Sequence, residues 1–410
     1  MSRKACILQA FILVELALML PYSLAQAEVV VTTVPQLAAA VANANAGGDK
    51  TILVADGTYT LDSLLHITGD NITIRGQSGN RGAVIIRGQG MEGGVSHVFL
   101  VRGSYFTVRD MTIGWVYYHA VQIHGELGAS HVTISNVRIV DTREQMVKVS
   151  TSSSSPHSST NGLVENCLFE YSAGIGPQWY IGGVDAHKSS NWVVRNNIFK
   201  NIASPSASIA EHAIHFWSGS QDTLVEGNLI IDCDRGIGFG LGSSTHVRGV
   251  IRNNMIFHST RNPAFADVGI DLQSSTDARV FNNTIFFGNG YPNAIEYRFA
   301  TTSGAYIANN LTNKAIVSRD GGTATLTHNV TSAQAGWFTD PDNADLHLAS
   351  AVAGVVDSGT SAIPGLPSPF LDFDGQQRPM GPGIDIGADE YARVATPGIC
   401  IPAIPGLLLE

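Results

Sequence analysis

Short runs in which apolar and polar residues alternate recur along this chain, and most begin on the same residue type. RDMTIGW, SNVRIVD, ENCLFEY, RNNIFKN, EGNLIID, RNNMIFH, FNNTIFF and ANNLTNK share one shape, a polar residue and then alternating apolar positions. With Asp110, Asn136, Asn166, Asn197, Asn228, Asn254, Asn283 and Asn310 as markers, the steps are 26, 30, 31, 31, 26, 29 and 27 residues. A weaker copy, THNVTSA, follows at Asn329, and DNITIRG and AVIIRG precede the set. Alternation with period two marks a strand. A repeat of this length, built on strands, Gly and Asn, is one coil of a β-solenoid, whose coils share a continuous core. The pattern predicts an all-β, right-handed parallel β-helix of roughly ten coils, with Asn stacked as a hydrogen-bonded ladder. A β-propeller would have longer blades without this recurring Asn.

The ends break the pattern. VPQLAAAVANANAGG has helical spacing and is read as an N-terminal cap, which a solenoid needs to cover its first coil. The β-helix is expected over residues 28–335. Residues 336–391, which include DFDGQQRPMGPGIDIGADEY, form an irregular C-terminal flap or cap, and 392–410 a Pro-rich tail. Residues 1–27 read as a signal peptide: Arg3 and Lys4, the apolar stretch ILQAFILVELALML, then Ala25-Gln26-Ala27 as the cleavage site. The expected mature chain is secreted, periplasmic or on the cell surface, without stable membrane insertion, and monomeric.

A second strand precedes each marker strand: HAVQIHG, QMVKVST, GGVDAHK, HAIHFWS, RGIGFGL, VGIDLQS and NAIEYRF. Aligned on Val121, Val147, Val184, Ile214, Ile237, Ile270 and Ile295 as inward residues, these strands give one outward column of Gln122, Lys148, Asp185, His215, Gly238, Asp271 and Glu296. Two residues on, a second column runs His124, Ser150, His187, Trp217, Gly240, Gln273 and Arg298. A third, on the N-terminal side, holds His119, Gln145, Gly182, His212 and Arg235. Equivalent residues of adjacent coils lie about 4.8 Å apart, so Lys148, Asp185 and His215 stand in a row flanked by His187 and Trp217. Solvent-facing columns are ordinarily Ser, Thr, Lys and Glu. Clustered His, which titrates near neutrality, with Asp and Arg alongside, points to a site. The insertion STSSSSPHSSTN after Lys148 and the aromatics Trp115, Tyr117, Tyr118, Trp179 and Tyr180 suit the walls of a sugar-binding groove.

Charged residues are 14% of the chain, against about 25% in an ordinary domain. The formal net charge is −10, and loss of Arg3, Lys4 and Glu15 makes it more negative. Such a chain is a poor non-specific nucleic-acid binder, and an anionic glycan would need a locally basic site. The three cysteines left after cleavage, Cys167, Cys233 and Cys400, are too odd and sparse a set for a disulfide framework, and Cys167 and Cys233 sit in apolar strands as small core residues.

From about Val30 to Ser332 the chain resembles the right-handed parallel β-helix polysaccharide lyases, and most closely the alginate lyase and chondroitinase B family. AHKSSNWVVRNNIFKNI is similar to that family's Lys-Ser strand and Asn-rich turn, and DTLVEGNLI to its next Asn turn. The resemblance implies a lyase acting on an anionic polysaccharide, with Lys188 at the catalytic Lys. The catalytic Arg position holds Trp217, and no matching Asn and Glu ligands for Ca2+ stand upstream of Lys188. DGQQRPMGPGIDIGADEY resembles a C-terminal element of secreted bacterial β-helix proteins that bear sorting tails.

A uronate lyase neutralises the carboxylate, removes the C5 proton and protonates the departing oxygen. Arg235, Lys148 or a metal ion suits the first task. Lys148, His215 or His187 suits the second, with His215 or Lys148 foremost and Asp185 orienting a histidine. Gln122, His124, Lys188, Glu211, His212, Trp217, Asp271, Glu296 and Arg298 are expected to bind substrate. Asp185, His187 and His215 could instead hold a transition metal. Two other readings stay open: a glycoside hydrolase using Asp185, Asp271 or Glu211, and a non-catalytic glycan-binding or surface-structural β-helix.

Overall fold

Each alternating segment forms a strand parallel to its counterpart in the next coil. The structure, a computed structural model, describes residues 28–260, 266–368 and 370–392. The leader read in residues 1–27 and the tail from residue 393 onward lie outside the described residues.

A ten-stranded sheet runs in unbroken order from Leu65–Ile67 to Ala315–Arg319. A twenty-stranded and a five-stranded sheet complete the coils. The twenty strands join into one sheet because Thr107–Val116 and Thr133–Thr142 run through a corner that later coils interrupt. Val121, Val147, Val184, Ile214, Ile237, Ile270 and Ile295 are fully buried, as the inward alignment requires. Burying each such side chain contributes roughly 1.5–3 kcal/mol. Cys167 and Cys233 are buried and free.

The helix Val34–Asn45 closes the first coil. The Thr33 side chain accepts the Gln36 N–H as its N-cap, Pro35 sits in the first turn, and Leu37, Ala40, Val41 and Ala44 face the core. Among the described residues no helix is long and apolar enough to cross a membrane.

The Asn ladder exists, and its register corrects the markers. Asn197, Asn228, Asn254, Asn283, Asn310 and Asn329 stack, each backbone N–H and Nδ2 donating to the next Oδ1 at 2.9–3.1 Å. One coil earlier Cys167, not Asn166, holds this position, its N–H donating to Asn197 Oδ1. Asp110, Asn136 and Asn166 belong to a neighbouring column with Asn196, Asn253, Asn282 and Asn309, all at φ between 52° and 61°. Asn is tolerated in that left-handed region, so one coil can need Asn at two adjacent positions for two different reasons.

The C-terminal segment packs on this corner column. Asn253, Asn282 and Asn309 donate through Nδ2 to the carbonyls of Leu371, Asp385 and Thr360. Buried Arg378 fastens it, pairing with Glu390 at 2.7 Å and donating to the Gly387 and Ala388 carbonyls.

Candidate active site

The ten-stranded sheet pairs the outward columns in the register the alternation predicts. Gln122 lies beside Lys148, Lys148 beside Asp185, Asp185 beside His215, His215 beside Gly238, and Asp271 beside Glu296. His187 lies beside Trp217, and His212 beside Arg235.

What the alternation does not show is burial. Gln122, Lys148, Asp185, His215, Asp271 and Glu296 point away from the core, yet all are buried. Loops do the covering. Tyr180 lies over Lys148, its ring centroid 5.9 Å from Nζ, and Trp179 beside it is 46% exposed. The insertion after Lys148 is tied down where Ser155 Oγ donates to the Glu126 carbonyl and accommodates Lys188 Nζ on its own carbonyl at 2.7 Å. On the next coil, the Asp234 carboxylate accepts the N–H groups of Ser204 and Ala210 at 2.9 Å, fixing the loop that presents Glu211.

At the centre Lys148 Nζ bonds Asp185 Oδ2, and Trp217 Nε1–H donates to Asp185 Oδ1 at 2.8 Å. Burial opposes both charges, but the pair's mutual attraction outweighs it: the Asp185 carboxyl is held below its ordinary range and the Lys148 ammonium above its own. Lys148 is therefore a fixed cation at neutral pH. This corrects its expected use as a base.

Three imidazoles stand around this pair. His187 Nε2 is 3.9 Å from Asp185 Oδ1, its Nδ1 meets Ser218 Oγ at 3.1 Å, and its ring tilts on Trp217 at 4.2 Å. Burial pushes it down to about 4, so it is neutral at pH 7. Its side chain keeps 15% exposure, so it is the most accessible of the three imidazoles. His215 is fully buried and stacked on Trp217; its Nε2–H donates to the Gly240 carbonyl at 3.1 Å, leaving Nδ1 bare, 4.0 Å from Asp185 and 3.8 Å from Glu211. His212 approaches His215 with ring centroids 4.5 Å apart.

The flanking residues divide. Gln122 Nε2 donates to Ser150 Oγ, and His124 is held by Glu126 at 2.5 Å, so both line the same end of the row. Arg235 pairs with Asp267 at 3.3 Å and acts over distance on His212, His215 and Asp271. Asp271 is pushed by burial up to about 6. Glu296 is buried against Arg319, Tyr291 and Asn293, and Arg298 is paired with Asp320. Both of these residues, expected to bind substrate, are thus held in ion pairs, Glu296 buried and Arg298 part-exposed. Sequence reasoning also missed Glu126, Ser218 and Asp234, loop residues that no strand period registers.

The row does not fit Ca2+, a hard ion that takes oxygen ligands. Around its centre it offers imidazole nitrogens and the Asp185 carboxylate, both of whose oxygens are held by Lys148 and Trp217. The same bonds displace the expected transition-metal trio of Asp185, His187 and His215. The metal-compatible group in this sheet is Glu211, His212 and His215, whose ligand atoms lie within 4.8 Å of one another.

Residues 63–249 match the family model described as a right handed beta helix region. The protein is a right-handed β-helix. It resembles polysaccharide lyases. An alginate lyase from Paenibacillus sp. str. FPU-7 is 16% identical, over 73% of this β-helix chain and 97% of its own, with a TM-score of 0.49. The pectate lyase Pel9A is 14% identical, over 86% of this chain and 90% of its own, with a TM-score of 0.41. The A-module of a mannuronan C-5 epimerase from Azotobacter vinelandii is 14% identical, over 72% and 90%, with a TM-score of 0.42. At such identities the likeness is one of fold. No curated protein sequence matches this β-helix.

Proposed function

We propose that this β-helix acts on an acidic polysaccharide and cleaves it by β-elimination, outside the cytoplasm. The observation that carries the reading is His187, a part-exposed neutral imidazole beside a buried Lys148–Asp185 ion pair. In this scheme His187 takes the proton from the carbon next to the substrate carboxylate. The freed electron pair forms the carbon–carbon double bond, and the glycosidic carbon–oxygen bond breaks. Tyr180, carried over Lys148, protonates the departing oxygen. Lys148 and Asp185 fix the polar frame, and Trp217 and Trp179 offer ring faces to sugar.

The test is incubation of the purified chain with alginate, pectate, glucuronan and chondroitin, following the ultraviolet absorbance of an unsaturated product. We expect a rise on one of them, and His187→Ala to slow it about 10²–10⁴-fold, the usual worth of a general base. Reducing ends released without that absorbance would overturn the scheme. They would favour hydrolysis, for which Asp271, protonated up to about pH 6, and Glu211 are the carboxylates at hand.

A further inference from the structure

Next to the Lys148–Asp185 pair the sheet holds several polar atoms with nothing to bond. His212 is fully buried, and neither ring nitrogen has a hydrogen-bond partner. Glu211 Oε2 and Asp271 Oδ1 are likewise buried and unpaired. Buried polar groups are otherwise almost always satisfied, so a cluster of exceptions calls for something to fill it.

The local backbone explains how the cluster forms. His212 and His215 are three apart, a spacing that strict alternation would put on opposite faces. Ala213 and Ile214 both enter the core, however, so the alternation breaks there and the two rings meet on the outer side. On the next coil Gly238 leaves the room: a Cβ there would sit 2.7 Å from His212 ring atoms. The ring thus lies across the glycine, with Nε2 3.9 Å from Asp271 Oδ2.

The donors have the geometry of ligands. The His215 Nε2–H is anchored on the Gly240 carbonyl, the arrangement that fixes a ligand imidazole and turns its other nitrogen to the metal. Glu211 stands at the rim, its side chain 19% exposed, and gives an entry path. We infer that Glu211, His212 and His215 form a binding site for one divalent first-row transition metal ion, of which Zn2+ is the probe. Two imidazoles and a carboxylate suit that class and not Ca2+. Ligand bonds of about 2.0–2.2 Å would draw atoms now within 4.8 Å onto the ion. The site stands whether or not the β-elimination reading does. If both hold, the ion supplies positive charge that this row lacks, since Lys148 and Arg235 are each already paired with an Asp.

The experiment uses the full purified chain, stripped with a chelator and desalted, titrated calorimetrically with Zn2+ and separately with Ca2+, without polysaccharide. Elemental analysis and thermal melting follow. We expect one Zn2+ per chain, a raised melting temperature, and no response to Ca2+. His212→Ala and the rim variant Glu211→Gln should each weaken binding about 10–100-fold or more. Should His212→Ala fail to fold, Glu211→Gln decides. His347, Asp374 and Asp389 form a second group with ligand atoms this close, so His347→Ala is the control and should bind as the parent does. Absence of a Zn2+ equivalent, undiminished binding in Glu211→Gln, or an ion that follows His347 would each overturn the inference. Zn2+ bound without any unsaturated product would sink only the lyase.

Discussion

The residue that governs the centre of the row is Asp185, because three side chains depend on it. Lys148 and Trp217 hold its two oxygens, and His187 stands at 3.9 Å. Removing one partner of a buried ion pair leaves an uncompensated charge and costs about 3–5 kcal/mol. Lys148→Met is therefore expected to destabilise the fold by that order in denaturant titrations, and loss of activity in it would say little about catalysis. His187→Ala, at a partly exposed position without an ion pair this tight, should melt near the parent temperature, and is the informative variant. The sequence brought Lys148, Asp185, His187 and His215 together correctly because they repeat in register on neighbouring coils. It could not show that the pair is buried, since the cover comes from Tyr180, a loop residue outside the repeat, nor therefore that attraction to Asp185 outweighs that burial and pins Lys148 as a cation.

At the scale of elements, the strands were legible and the loops were not. Period-two alternation and the Asn spacing give coils and register, and helical spacing gives the capping helix, because each obeys a local rule. The one-residue error at Asn166 arises where two Asn requirements, a left-handed corner and a ladder position, fall side by side. Asn196 and Asn197 fill both, while the preceding coil has Asn166 and Cys167. Likewise His212 belongs to the cluster only because Ala213 and Ile214 break the alternation. The C-terminal cap has its own electrostatics. Burial works against charge on His347, but the ion pair with the Asp374 carboxylate at 3.0 Å, with Asp389 and Asp345 near, raises it from 6.5 to about 10. A raised folded value means its contribution is complete below pH 6.5 and disappears as pH rises through about 10. The cap should loosen between pH 6.5 and about 10, read as a falling melting temperature, and His347→Gln should flatten that limb.

For the whole molecule, acid stability is a contest between two sets of buried groups. Burial pushes His97 and His187 down to about 4 and His119 and His246 to about 3, against 6.5 in the unfolded chain. Their contribution is present above pH 6.5 and is lost as pH falls through those values. Burial raises Asp234, Asp271 and Asp385 to about 6 and Asp372 to about 7, against 3.8, so these favour the folded state increasingly as pH falls from 7 to 4. The sets offset one another down to roughly pH 4; below that the carboxylates add nothing, while His119 and His246 must still charge. Chemical denaturation at stepped pH should show a plateau and then a steep loss between about pH 4 and 3; a decline setting in already at 6.5 would mean the histidines dominate. The corner column has a consequence of another kind. Asn253, Asn282 and Asn309, on three successive coils, are the footings of the C-terminal segment. Between Asn166 and Asn228 the side-chain hydrogen bonds among the described residues join each coil only to its neighbours, so a duplication or deletion of one whole coil there preserves those joints. The same event among the last three removes a footing. Length variation among descendants of this gene should therefore gather upstream of Asn253, with the final coils inherited as a block.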